Sequence, residues 1–349
     1  MQFTSPPGCE EMKAAVLSAS GPMLRIENVS DPTPDPGEVV VRVEASGICG
    51  SDLHLAPLMR EYPGIIFGHE FSGRVVARGS GVDTALDDAL VSAFPLVGCK
   101  NCVACWSGNP ARCAAAEFTG VQRPGGYAEF VAVSARDCFV LPPGFGAEWG
   151  AMVEPLAVAH HALEKTPRAP GAPLLILGAG PVGLAVALYA KLFGASAVVV
   201  SDPVPGRRTL AEAVGAVTVD PTTDDVGAAY AATTGGRPGT ILECVGIPGL
   251  IQQGCDLAAP DAHITVVGAC TVPDTVTPTT ALAKELTVQF VLYYRPRDFE
   301  LTIAHLAAGR LDPTPLITDV IGLRELPERF EALMRPTTEC KVLIAPQKH

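Results

Sequence analysis

The sequence predicts an α/β protein with two parts: a parallel, doubly wound sheet and a second, β-rich domain. Three observations predict it. Short strand-like runs separated by Gly/Pro turns fill residues 12 to 150, strand, turn and helix alternate regularly from Leu174 onward, and strand-like sequence returns at the C-terminus. A chain of 349 residues exceeds one compact core and suits two domains.

Taken in order, "MQFTSPPGCEE" at 1–11 precedes a second methionine and is read as a disordered extension. It lacks the basic and apolar regions of a signal peptide, so a soluble, cytoplasmic protein is expected. The runs "AAVLSAS", "EVVVRVEASG", "EFSGRVVARGSG" and "YAEFVAVSARDCFVLP" then predict an antiparallel or barrel-like domain. Near residue 150 the period changes, and "EWGAMVEPLAVAHHALEK" carries apolar residues at helical spacing before a "TPRAPGAP" breaker. "LLILGAG", "PVGLAVALYAKLFGA", "AVVVSD" and "GRRTLAEAVGA" open the alternating region, which continues through "GTILECVG" and "HITVVGA". A membrane span would need roughly 20 apolar residues, whereas the run from Leu174 to Ala190 is broken by glycines and a proline. One more helix, "RDFELTIAHLAAGR", and the tail "TPLITDVIGL … KVLIAP" follow, the tail returning to the first domain. The predicted division is therefore 12–155 with 297–349, and 156–296 between them.

A formal charge of −12 argues against nucleic acid or an anionic membrane as partner. "GAGPVG" at 178–183 follows an apolar strand and opens a helical run, the context in which GxGxxG binds a dinucleotide. Gly178 makes the tight turn, Gly180 admits the pyrophosphate to the backbone and Gly183 lets helix and strand pack closely. The helix N-terminus offers free N–H groups to the phosphates. Asp202 ends the next strand, where a carboxylate accepts ribose hydroxyls and repels a 2′-phosphate, favouring NAD over NADP. Arg207 and Arg208 lie close enough to oppose that preference, or form a solvated helix start.

Eleven cysteines without a secretory signal favour metal over disulfides. Cys99, Cys102, Cys105 and Cys113, spaced C-x2-C-x2-C-x7-C, match four thiolates around a closed, structural zinc. "GICGSDLH" at 47–54 supplies Cys49, "GHEFSG" supplies His69, and "EPLAVAHHA" supplies Glu154 at the start of an apolar helix. These three suit a zinc with an open position. The same residues also suit a satisfied buried histidine and a first-turn acid facing solvent.

In this order, "GICGSDLH", "GHEFSG", the four-cysteine lobe, "EPLAVAHHA" and "GAGPVG" with Asp202 resemble the zinc-dependent medium-chain alcohol dehydrogenases, over essentially all of residues 12–349. The polyol and secondary-alcohol branch (sorbitol, butanediol and threonine dehydrogenases) is the most similar. The resemblance implies a GroES-like catalytic domain, a Rossmann domain and two zincs per chain. It implies Cys49, His69 and Glu154 as catalytic zinc ligands, with Glu70 able to enter the coordination sphere. Asp52 would orient the histidine ligand, while Ser51 takes the substrate proton and His54 passes it outward. The structural zinc falls to Cys99, Cys102, Cys105 and Cys113. The cofactor contacts implied are Gly178, Gly180, Pro181, Val182, Gly183, Asp202, Arg207, Val245, Val267, Gly268 and Ala269. Phe118, Trp149, Tyr293, Tyr294 and Arg295 are candidates for the substrate pocket, the last three also for surface packing or a subunit interface.

The expected activity is reversible oxidation of a secondary alcohol or polyol to its ketone with hydride transfer to NAD, in a homodimer or homotetramer. Two alternatives remain at this level: an NADP(H)-dependent carbonyl reductase, and a non-catalytic dinucleotide-binding protein.

Overall fold

The computed structural model describes residues 11–335 and 337–348. Regular structure begins at Glu11, first residue of the strand Glu11–Leu17, so the expected extension does not include it; residues 1–10 lie outside the described residues.

The alternating region forms a six-stranded, wholly parallel sheet from Leu174–Leu177, Val198–Ser201, Val217–Val219, Thr240–Glu243, His263–Val266 and Thr287–Phe290. Numbered along the chain, their spatial order is 3-2-1-4-5-6. In the first, second, fourth and fifth strands every residue is buried, because helices cover both faces, which is why they read as unbroken apolar runs. The order reverses between Leu174–Leu177 and Thr240–Glu243. Loops leaving the carboxyl ends of those two strands diverge there, the crevice in which such sheets bind ligands.

Seven of the remaining strands build a second sheet, and the others form two-stranded pairs, Glu11–Leu17 with Leu24–Ser30 and Leu96–Val97 with Glu117–Phe118. The path of the second sheet runs Ile317–Gly322, Lys341–Ala345, Glu38–Gly47, Glu70–Arg78, Leu90–Ala93 and Cys138–Val140, with Phe130–Ser134 also paired to Glu38–Gly47. All pairs are antiparallel except the first, which is parallel. Strand Lys341–Ala345 sits beside Ser46 and Gly47, and Ile48 N–H donates to Val342 O at 3.0 Å. The tail thus backs the loop that carries Cys49. No helix among the described residues is long and apolar enough to cross a membrane.

Helix Val153–Lys165 runs between the two sheets, with all residues from Val153 to Ala157 and from Ala159 to Leu163 buried. Glu154, at its start, is 5 % exposed. Helix packing, not the dipole of an exposed first turn, therefore sets the environment of this acid.

Candidate zinc and dinucleotide sites

Cys49 is the N-cap of helix Gly50–Leu58. Ser51, in the first turn, donates to Cys49 Sγ at 3.2 Å. Asp52 is buried and its Oδ2 accepts from the Tyr127 hydroxyl at 2.7 Å. His54, one turn on, is exposed, and no hydrogen bond joins it to Ser51 among the described residues.

His69 begins the approach to strand Glu70–Arg78. Gly68 before it has φ +95°, and a Cβ there would stand 2.4 Å from the Tyr127 ring. No other residue takes that conformation in that space, so Gly68 fixes both His69 and Tyr127. His69 Nδ1 lies 3.2 Å from Asp52 Oδ1, but neither buried atom completes a hydrogen bond. Burial opposes the charged imidazolium, yet Asp52 and Cys49 outweigh it and raise the His69 pKa well above its ordinary value. A cation placed here would relieve the same accumulation of negative charge.

The ligand atoms of Cys49, His69 and Glu70 lie within 4.8 Å of one another. Glu70 Oε1 and Oε2 both accept from Lys341 Nζ, at 2.7 and 2.6 Å, and Lys341 also donates to Ile48 O at 3.1 Å. Glu154 does not join that trio in this geometry. Its Oε1 accepts from the Tyr294 hydroxyl at 2.8 Å, while Oε2 has no hydrogen-bond partner among the described residues. Burial pushes Glu154 up to about 7, a rise opposed by His69 and reinforced by Glu70. A cysteine sulfur, an imidazole and a buried carboxylate that converge beside orphaned polar atoms, with a second buried acid close enough to feel His69 and Glu70, fit a zinc ion.

Of the residues expected around the substrate, Phe118 packs on His69 with ring centroids 4.9 Å apart, and Tyr293 packs on Phe118 at 5.5 Å. Tyr294 is fully buried, neither surface packing nor interface. Trp149 donates its indole N–H to Thr314 Oγ1 at 3.3 Å, and its ring meets Phe145. Arg295 is the N-cap of helix Pro296–Ala307, its Nε buried without a partner.

Cys99, Cys102, Cys105 and Cys113 bring their sulfurs within 4.8 Å of one another. Cys99 N–H donates to Cys113 Sγ at 3.4 Å, and this bond with one from Ala115 N–H pulls the Cys113 thiol down to about 6. Four converging thiol groups, one already biased to thiolate, fit a closed zinc site.

At the crevice, Gly178 has φ +99° and a Cβ on Gly183 would stand 1.9 Å from Gly178 O. Gly180, N-cap of helix Pro181–Leu192, faces open space. Asp202 Oδ2 accepts from Ala179 N–H and Oδ1 from Val204 N–H, both at 2.8 Å, so the acid is tied to the turn itself. Arg208 donates to Asp202 O at 2.7 Å and pairs with Asp220 at 2.9 Å. Arg207 lies toward Cys340, its Nε buried and unpartnered. Glu243 Oε1 accepts from Val245 and Gly246 N–H at 2.7 and 2.8 Å. Its backbone oxygen accepts from Val267 and Gly268 N–H at 2.8 and 3.0 Å. This buried acid therefore holds both loops that face the phosphate turn.

Residues 35–143 match the model of the alcohol dehydrogenase GroES-like domain and residues 181–308 that of the zinc-binding dehydrogenases. The chain is 31 % identical to (R,R)-butanediol dehydrogenase of Bacillus subtilis, over 93 % of this chain and 96 % of that one. A crystal structure of an Escherichia coli alcohol dehydrogenase complexed with NADH superposes with TM-score 0.89 at 28 % identity, covering 97 % of this chain and 100 % of that one. A zinc-binding dehydrogenase from Sinorhizobium meliloti bound to NADP superposes with TM-score 0.88 at 32 % identity, covering 96 % and 99 %. With both halves matched and nearly the whole length aligned, the chain belongs to the zinc-dependent medium-chain alcohol dehydrogenase family.

Proposed function

We propose that this enzyme interconverts a secondary alcohol or polyol and its ketone with NAD(H), using a catalytic zinc held by Cys49, His69 and Glu154. The observation that carries the reading is the convergence of Cys49, His69 and Glu70, with the buried acid Glu154 close enough to feel both His69 and Glu70. Glu154 is the third ligand in this reading because it has a free oxygen, whereas Lys341 occupies both oxygens of Glu70. Similarity to a butanediol dehydrogenase supports the substrate class.

Zinc bound there supplies the Lewis acidity that makes an alcohol acidic at neutral pH, and NAD⁺ supplies the hydride acceptor. The chain does the rest. Asp52, itself held by Tyr127, turns Nδ1 of His69 toward it and leaves Nε2 for the metal. Ser51 Oγ, beside Cys49, would take the alcohol proton as it gives up its own hydroxyl proton, and His54, exposed in the same turn, would carry that proton to solvent. Phe118 and Tyr293 form an aromatic wall that excludes water. Gly180 and the N-terminus of helix Pro181–Leu192 receive the pyrophosphate. Asp202, tied to the phosphate turn, would accept from the ribose hydroxyls, while Arg208 is engaged elsewhere, which supports NAD over NADP.

The strand Thr287–Phe290 ends the parallel sheet, with Phe290 and Leu292 exposed at 68 % and 67 %. Such an unpaired apolar edge supports a homodimer or homotetramer built across it. The test is a panel of secondary alcohols, diols and polyols with NAD⁺ or NADP⁺, followed by NAD(P)H absorbance and metal analysis. Two zincs per chain and NADH formation on secondary alcohols are expected. Fewer than two zincs, or preference for NADP⁺, would overturn the corresponding part.

A further inference from the structure

Helix Val153–Lys165 carries more than Glu154. His160 and His161, two turns further on, both point at one acid. Asp298 Oδ1 accepts from His160 Nδ1 at 2.8 Å, and Oδ2 accepts from His161 Nδ1 at 2.9 Å. The same Oδ2 accepts from the backbone N–H of Arg295 at 2.7 Å. Asp298 is 1 % exposed, and an ionised carboxylate so buried persists only with such donors. Burial works against the charge, but the two imidazole bonds outweigh it and hold the carboxyl well below its usual range.

Arg295 closes the turn that presents Tyr293 and Tyr294. Tyr293 has φ +56°, a left-handed conformation that is strained for an aromatic residue. Strain of this kind persists only where the surroundings over-determine the backbone. Here the surroundings are identifiable. Tyr293 leans on Phe118, Tyr294 bonds Glu154 Oε1, and Asp298 caps the backbone immediately after them. The helix Pro296–Ala307 that follows is also tied to helix Pro181–Leu192 of the phosphate turn, through Thr302 Oγ1 and the Tyr189 hydroxyl at 2.7 Å.

We propose that Asp298 is a positioning residue for the reaction: by bridging His160 and His161 it locks the Tyr293–Tyr294 turn onto the helix of Glu154. It thereby fixes the Glu154 carboxylate at the zinc and the aromatic wall over the cleft. His160, Glu164 and Asp298 also place ligand atoms within 4.8 Å, the spacing of a metal site. Both oxygens of Asp298 are already committed to N–H donors, so the cluster is a completed hydrogen-bond network and not a vacant ligand set.

The inference rests on Glu154 as a zinc ligand, and the experiment separates the two. Full-length, zinc-loaded wild type is compared with Asp298→Ala, Asp298→Asn, Tyr294→Phe, the double variant Asp298→Ala/Tyr294→Phe, and Glu154→Gln. Three quantities are read: kcat/KM for an alcohol taken from the panel, the rate at which zinc passes to a colorimetric chelator, and Tm. Asp298→Ala should lower kcat/KM about 10- to 100-fold and speed the loss of one of the two zincs, as removal of support behind a metal ligand does. Tyr294→Phe should act in the same direction, and the double variant should be no worse than the more damaging single one. Asp298→Asn keeps the shape and a single acceptor, so it should fold even where Asp298→Ala does not, and still release that zinc faster.

Additive effects in the double variant would overturn the proposal. A lowered Tm with unchanged zinc release would do the same, since it marks Asp298 as a purely structural acid. A third zinc per chain that disappears in Asp298→Ala would replace it with a metal site. Glu154→Gln that retains both zincs refutes the ligand assignment, and with it this inference. Glu154→Gln that loses one zinc, beside additive Asp298 and Tyr294 effects, refutes this inference alone.

Discussion

Lys341→Met is the perturbation whose consequences the structure constrains most tightly. Lys341 and Glu70 are each 1 % exposed, and Nζ sits 2.6 and 2.7 Å from the two carboxylate oxygens. Burial opposes the ammonium, but Glu70 and Cys49 outweigh it and raise the Lys341 pKa above its usual value. Methionine fills similar volume without charge, so the variant isolates electrostatics from packing. Unit charges 4 Å apart attract by about 4 kcal/mol at an effective dielectric constant of 20. That falls within the roughly 3–5 kcal/mol expected on removing one partner of a buried pair. Denaturant unfolding of chelator-treated protein should therefore show a loss of about 3–4 kcal/mol at pH 7. Zinc adjacent to Glu70 can replace the missing countercharge, so the zinc-loaded variant should lose less. A loss below about 1 kcal/mol, or one that zinc does not reduce, would refute the reasoning.

Three further outcomes follow from the same geometry. Cys113→Ser should remove one zinc of two and lower Tm while the second zinc and NAD⁺ reduction persist, as metal analysis and activity of the surviving fold will show. Asp202→Ala should raise KM for NAD⁺ roughly 10-fold or more and narrow its advantage over NADP⁺; an unchanged KM would count against the ribose assignment. The acid limb of the stability curve tests Asp298. Its carboxyl is depressed in the fold, so its contribution is fully present above the unfolded pKa of about 3.9 and is lost as pH falls through the folded value. Asp298→Asn should accordingly lower stability at neutral pH and flatten its pH dependence below about pH 4, measured by acid titration of unfolding. An acid limb unchanged by the substitution would show that Asp298 does not carry the linkage.

The legible parts of this molecule share a physical property: their chemistry is confined to short segments. GxGxxG works because Gly178, Gly180 and Gly183 act within one turn, and the Cys99–Cys113 lobe because four thiols close on one loop. Strands buried on both faces print their burial directly as apolar runs. What was not legible depends on partners far apart in the chain. Lys341 meets Glu70 across 271 residues, and Asp298 meets His160 across 138. Each partner alone reads as an ordinary charged residue. A signal was nevertheless present in two cases. Lys341 opens "KVLIA", an otherwise apolar strand, and "HH" interrupts an otherwise apolar helix. A charged or titratable side chain at a position whose period demands burial must find a partner or lose its charge. The pattern predicts that a partner exists, but only the fold says which. For Glu154 the helical period decided the face, and burial at 5 % follows from it. The choice between Glu70 and Glu154 as third ligand turns instead on which acid Lys341 holds, a fact carried by a strand 187 residues further along the chain than Glu154.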